Sequence, residues 1–184
     1  SLPDPPSTWA GLLDPALKRK IILMSPATSS PGRSFLLFTI AAFGEEGYLD
    51  FWRKLKPNIL TVAPGWSEGY GLYTQGEAPI VLSYDTSPAY HRQFENETRY
   101  ENLILEDSAY AQVEVAGIVR GAANVPDARK LMDYLVSPEL QAEVPLSQLM
   151  YPVHPGVELP EAFRAVRRAG KLVGLDEATV AERF

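Results

Sequence analysis

Gly65-Trp66-Ser67-Glu68-Gly69 has the G-x-S-x-G spacing of a nucleophile elbow, where a serine on a tight strand-to-helix turn is activated by a histidine that a carboxylate orients. The chain order fits that chemistry, with Ser67 as nucleophile, Asp85 or Asp107 as acid and His154 as base. Against it, Pro64 interrupts the run into the turn, few residues precede Ser67 to build an earlier sheet, and no His-Gly-Gly sequence supplies an oxyanion loop. A five-residue pattern also arises by chance. Ser67 as a helix N-cap, with glycines that permit tight packing, accounts for the same letters.

Thr28-Ser29-Ser30-Pro31-Gly32 offers a second chemistry. Hydroxyls and free backbone N–H groups ahead of a helix suit a phosphate or carboxylate, and plain helix capping is the competing role. Trp66, Tyr84 and Tyr90 offer a third, because flat aromatic faces stack a heteroaromatic cation with roughly 0.5–2 kcal/mol per desolvated contact. Core packing competes for each aromatic taken singly.

His91 and His154 lie far apart and lack a ligand pattern such as H-E-x-x-H, and there is no cysteine, so no metal site is expected. Tyrosinate from Tyr84 and Tyr90 on ferric iron is a further alternative, without an acidic cluster to support it. The net charge of −6 argues against a nucleic-acid partner and is compatible with a cationic ligand. Lys18-Arg19-Lys20 and Arg167-Arg168 read as solvated surface. No apolar run is long enough to insert in a bilayer.

These residues need elements to hold them. Ile21-Ile22-Leu23-Met24, Asn58-Ile59-Leu60-Thr61-Val62 and Pro79-Ile80-Val81-Leu82-Ser83-Tyr84 read as short buried strands. Helices are expected over 35–43, ending at Gly44, then over 48–55, 67–76 and from Pro88 to about residue 97. Alternating strands and helices predict an α/β layer with a largely parallel sheet, whose ligands bind at the strand C-terminal ends. The loops at 28–32, 64–67 and 84–88 all follow strands and are expected on one rim.

Residues 111–119 alternate polar and apolar and read as a long strand, a crossover between lobes. Helices are expected over 126–136, with Ala128, Leu131, Met132 and Leu135 on one face, over 138–143, and over 175–184. The Pro-rich start, Ser1-Leu2-Pro3-Asp4-Pro5-Pro6, is no signal peptide and reads as an interdomain connection, which favours a fragment.

Read in order, the block from Gly65 to Tyr73, then Leu82-Ser83-Tyr84-Asp85-Thr86-Ser87-Pro88-Ala89-Tyr90-His91, resembles the thiamine-binding periplasmic proteins of ABC importers. Thr28-Ser29-Ser30-Pro31-Gly32, Gln112-Val113-Glu114-Val115-Ala116, Ser137-Pro138-Glu139 and Met150-Tyr151-Pro152-Val153 fall in the same order. The resemblance spans residues from about 21 to 160 and is far more specific than G-x-S-x-G alone.

It implies an α/β fold of the periplasmic-binding-protein type II class: one lobe plus the C-terminal part of the other, with an N-terminal lobe segment missing. Residues 7–110 would be the second lobe, and 111–184 the crossover strand and C-terminal helical segment. The function implied is solute capture rather than catalysis. Thiamine, thiamine monophosphate or thiamine pyrophosphate would be the ligand, with no cofactor, a membrane permease as partner and a periplasmic or extracytoplasmic location. Carried over by position, Thr28, Ser29, Ser30 and Trp66 would lie toward the phosphate end, and Tyr84 and Tyr90 would line the ring region. Gly32, Ser67 and Asp85 would be further ligand-binding residues. One departure stands out: Leu149 precedes Met150 where the family carries a tryptophan, so a stacking face is lost. A single lobe would present half a cleft and hold its ligand weakly.

Overall fold

The computed structural model describes residues 2–175 and divides them into two compact units. The first contains the residues up to Tyr84, Leu103–Gln112 and those from Arg168 onward; the second contains Asp85–Asn102 and Val113–Arg167.

The first unit is built on β1 (Ile21–Met24), β2 (Ile59–Ala63) and β3 (Ile80–Val81), paired in the order β2-β1-β3 with both pairings parallel. All four residues of β1 are buried, as expected for an apolar run at the centre of a covered sheet. The connections are α1 (Ser30–Leu55) and α2 (Trp66–Thr74). Gly44 breaks α1 as expected: at φ 69° and ψ 176° it joins two helices across a kink, a conformation that favours glycine. Trp52 Nε1 donates to Thr39 Oγ1 at 2.9 Å and ties the two halves together.

Trp9, just after the Pro-rich start, is a core residue. It packs edge-on against Phe38, Phe43 and Phe51 at 4.6–5.4 Å between ring centres. Leu12, Ile21, Leu23, Leu55 and Leu105 complete the cluster. The buried Asn58 side chain donates to the carbonyls of Leu12 and Asp14, at 2.8 and 2.9 Å, and fixes this segment to the sheet. A second parallel pair, β4 (Ser108–Tyr110) with β5 (Lys171–Val173), joins residues some sixty positions apart in register Ser108↔Lys171.

The second unit is helical: α3 (Ser87–Phe94), α4 (Val125–Leu135), α5 (Pro138–Gln148) and the short α6 (Glu161–Arg164). Its buried cluster is Ala89, Phe163 and Val166, with Leu149, Tyr151 and Leu159 packed on it. The helix expected over 138–143 continues to Gln148, through Pro145. Pro145 is fully buried, and its fixed φ is helical, so packing offsets the one backbone hydrogen bond it removes. The strand expected over 111–119 is absent: these residues join no helix or strand, because alternation supplies a face but not a partner. Apart from Leu175, the helix expected over 175–184 lies outside the described residues.

Candidate ligand-binding rim

Because β1, β2 and β3 run parallel, their C-terminal ends share one edge, and within the first unit the loops at 28–32 and 64–67 meet there with the segment 82–84 that leaves β3, while 85–88 of the third expected loop belong to the second unit. Ser25 N–H donates to the Ala63 carbonyl at 2.9 Å, and Thr28 Oγ1 donates to the Pro64 carbonyl at 2.6 Å, joining the first loop to the second. Trp66 Nε1 donates to Ser83 Oγ at 2.8 Å, joining the second to the third. Two glycines permit this closeness. A Cβ on Gly32 would lie 2.5 Å from the Met24 carbonyl oxygen, so α1 begins directly against the end of β1. A Cβ on Gly69 would meet the Met24 methyl at 2.7 Å and Ala63 Cβ at 3.3 Å, so α2 lies flat on the sheet.

Ser29 occupies the N-cap position of α1, and its extended backbone suits that position, but its hydroxyl makes no capping bond. Its Oγ is shielded from solvent and has no hydrogen-bond partner. Plain capping therefore does not account for this hydroxyl, which lies beside the free N–H groups of a long helix start. Thr28 and Ser30 flank it and are exposed.

Trp66 stacks on Tyr70, with ring centres 4.7 Å apart and planes 18° from parallel, and lies 6.1 Å from Tyr84 at 45°. Tyr73 extends the series, 5.5 Å from Tyr70. Tyr84 is 40 % exposed, so the aromatic row ends in an accessible face. Sequence reasoning missed Tyr70 and Ser83. The four-residue spacing from Trp66 places Tyr70 on the same side of α2 and could have shown it.

The structure changes the role of Ser67. α2 begins at Trp66 with Gly65 as its N-cap, so Ser67 is the second helical residue and caps nothing. The Glu68 carboxylate folds back over Gly65, where an added Cβ would stand 2.6 Å from Oε2, which leaves no room for a serine-type cap. Nor is Ser67 on a strained elbow, since it is absent from the positive-φ residues and sits inside a regular helix. The proposed triad partners have other engagements: His154 Nδ1 accepts from Gly156 N–H at 3.1 Å, and Asp107 Oδ1 accepts from Gly170 N–H at 2.9 Å.

Asp85 and Tyr90 belong to the second unit. The Asp85 carbonyl accepts from Asn102 Nδ2 at 2.6 Å, and its carboxylate accepts from Tyr151 Oη at 3.4 Å. Tyr90 is exposed on α3 beside Phe94, at 5.3 Å. The next residue, His91, is buried, stacked on Tyr100 at 3.8 Å, with Nδ1 2.5 Å from Glu95 Oε2. Leu149, in place of the expected aromatic, ends α5 with a left-handed backbone (φ 55°) and packs on the Phe163 cluster. Among the described residues, no group of three or more His, Asp or Glu is placed to hold a metal ion.

The three-loop rim on a parallel sheet is the architecture of a solute-binding lobe, and the chain belongs to the bacterial extracellular solute-binding proteins, whose family pattern it matches over residues 1–170. Within that family it is 38 % identical over 182 residues to the thiamine-binding periplasmic protein of Brucella melitensis, a match covering 98 % of this chain and 54 % of that protein. To the thiamine-binding periplasmic protein of Escherichia coli K12 it is 35 % identical over 180 residues, again 98 % of this chain and 54 % of the relative. A solved periplasmic thiamin binding protein superposes with a TM-score of 0.90 at 34 % identity, over 100 % of this chain and 57 % of that one. The fold is thus the type II periplasmic-binding-protein fold, and the chain spans about half the length of the curated relatives it matches.

Proposed function

We propose that this chain contributes the thiamine-gripping rim of the solute-binding component of an ABC importer. It would work outside the cytoplasmic membrane and hand thiamine or one of its phosphates to a membrane permease. The observation that carries the reading is the pairing, on one rim, of an unpartnered Ser29 hydroxyl at the start of α1 with the stacked Trp66–Tyr70 pair and Tyr84. Thiamine has matching parts: a cationic thiazolium for the aromatic faces and, in its esters, a phosphate for the helix start. Thr28, Ser29, Ser30 and the close approach at Gly32 would serve the anion; Trp66 and Tyr84 would serve the rings. Ser67 flanks them on the first turn of α2. Asp85 and Tyr90 are the ligand-binding candidates of the second unit. The names of the relatives support the same ligand class.

Calorimetric titration of thiamine, its monophosphate and its pyrophosphate tests this, with the full-length Brucella relative as comparison. Saturable binding of at least one form is expected, weaker than in the relative. Trp66→Ala should weaken it about tenfold, the loss of one desolvated cation–π contact. Tyr90→Ala is measured the same way, and unchanged affinity in both variants would sink the assignment.

A further inference from the structure

Lys18-Arg19-Lys20 leads into β1, while Arg53, Lys54 and Lys56 end α1 and lead toward β2, so all six stand where the parallel strands begin, at the edge of the sheet opposite the rim. Backbone bonds hold the two segments side by side: Arg19 N–H donates to the Pro57 carbonyl at 3.2 Å and Lys20 N–H to the Asn58 carbonyl at 3.0 Å. The entry to β3 joins them, with Ile80 N–H donating to the Lys20 carbonyl at 3.3 Å. All six residues are exposed, and among the described residues only Lys54 is in an ion pair, with Asp50 at 2.7 Å. The same segments carry three acids, Asp14, Asp50 and Glu77, whereas the rest of the chain has eleven bases against twenty acids. An acidic protein thus gathers positive charge at one edge. The C-terminal end of α1 attracts cations, which accounts for Arg53 and Lys54. It does not account for Arg19, whose backbone is left-handed (φ 53°), in the region that favours glycine.

We propose that this edge rests on an anionic lipid bilayer, with the six bases taking the phosphates of acidic headgroups. A cavity of about 450 Å³ lies here, lined by Leu13, Pro15, Lys18, Lys54, Pro57 and Asn58, so apolar surface and ammonium groups occur together, as a headgroup and its glycerol require. Bases spread over two segments suit a fluid layer of phosphates better than the fixed carboxylates of one protein partner. Unpaired lysines and arginines are almost never buried, so a longer protein containing this chain would keep them at its surface. The contact is peripheral, since no helix among the described residues is long and apolar enough to cross a membrane. It would hold a solute carrier beside the membrane of its permease, whichever solute the rim takes.

Co-sedimentation of the chain with vesicles of phosphatidylglycerol and phosphatidylcholine, against vesicles of phosphatidylcholine alone, tests the proposal. Binding to the anionic vesicles only is expected, at low salt and not at high salt. Arg19→Gly should weaken it about fivefold, the effect of one charge near such a surface, while the thermal midpoint holds or rises because glycine relieves the backbone. Lys18→Glu combined with Lys56→Glu should abolish measurable binding. Arg120→Glu combined with Arg129→Glu changes the net charge equally but away from this edge, and should leave binding unchanged. Circular dichroism identical to the unaltered chain would exclude misfolding as the cause. Equal binding to neutral vesicles, no binding to either, or equal losses in the two double variants would overturn the proposal. So would a lowered midpoint in Arg19→Gly, which a packing role would give, or tighter binding to poly-glutamate of matched charge, which would point to an acidic protein instead.

Discussion

Trp9, Leu12, Ile21, Leu23, Phe51 and Leu55 of the first unit meet in one buried cluster around a sheet, whereas the second unit gathers Ala89, Phe163 and Val166 and leaves Val115, Leu131, Tyr134, Val136 and Val153 largely in water. α4 has no buried residue at all. The difference follows from the elements. A parallel sheet with connecting helices covers its own apolar faces, while a group of short helices without a strand has less interior for its apolar stripes to reach. The candidate rim belongs to the self-sufficient unit, where three loops are held by bonds to one another.

The sharpest way to break the contrast is Trp9→Ala, which should remove roughly 3–5 kcal/mol from the first unit through the lost ring and its cavity. All three tryptophans, Trp9, Trp52 and Trp66, lie in that unit. Fluorescence from the remaining two in urea should therefore show an earlier transition, and an unmoved midpoint would contradict the core described above. Next comes Gly69→Val, which forces methyl groups into Met24 and Ala63 and should cost about 1–3 kcal/mol by the same measurement.

A smaller effect is expected at Asp127, where Lys130 and then Asn124 hold the carboxyl below its usual value at the start of α4. A lowered folded value gives stability that is full above the ordinary aspartate range, about 4, and is lost as the pH falls through the folded value. Asp127→Asn should flatten the acid side of the helix signal in circular dichroism while changing little near neutrality. The smallest effect is Leu131→Lys, expected within about 0.5 kcal/mol because the side chain is already exposed. A larger loss in thermal unfolding would mean that α4 has an interior after all.

The sequence was most legible where one segment carried its own signal. Ile21–Met24 and Ile59–Ala63 are apolar runs bounded by turns, and the break at Gly44 needed only the conformational freedom of glycine. The three-loop rim followed from strand direction. What depended on distant partners was not legible. Ser108–Tyr110 and Lys171–Val173 are three-residue strands whose pairing no local pattern announces. Residues 111–119 had the alternation of a strand, and none of the described residues pairs with them. Within the rim, Trp66 and Tyr84 were readable as aromatics in post-strand loops, while Ser83 gained its role only when the Trp66 indole reached it.

The bond from Thr28 to the second loop ends on a backbone atom, the Pro64 carbonyl, which every residue type at position 64 would provide equally. Mutation at position 64 can therefore change its side chain without untying the first loop from the second. A lineage built on such a scaffold is free to try new solutes one face at a time, because learning a new cargo does not require learning again how to fold.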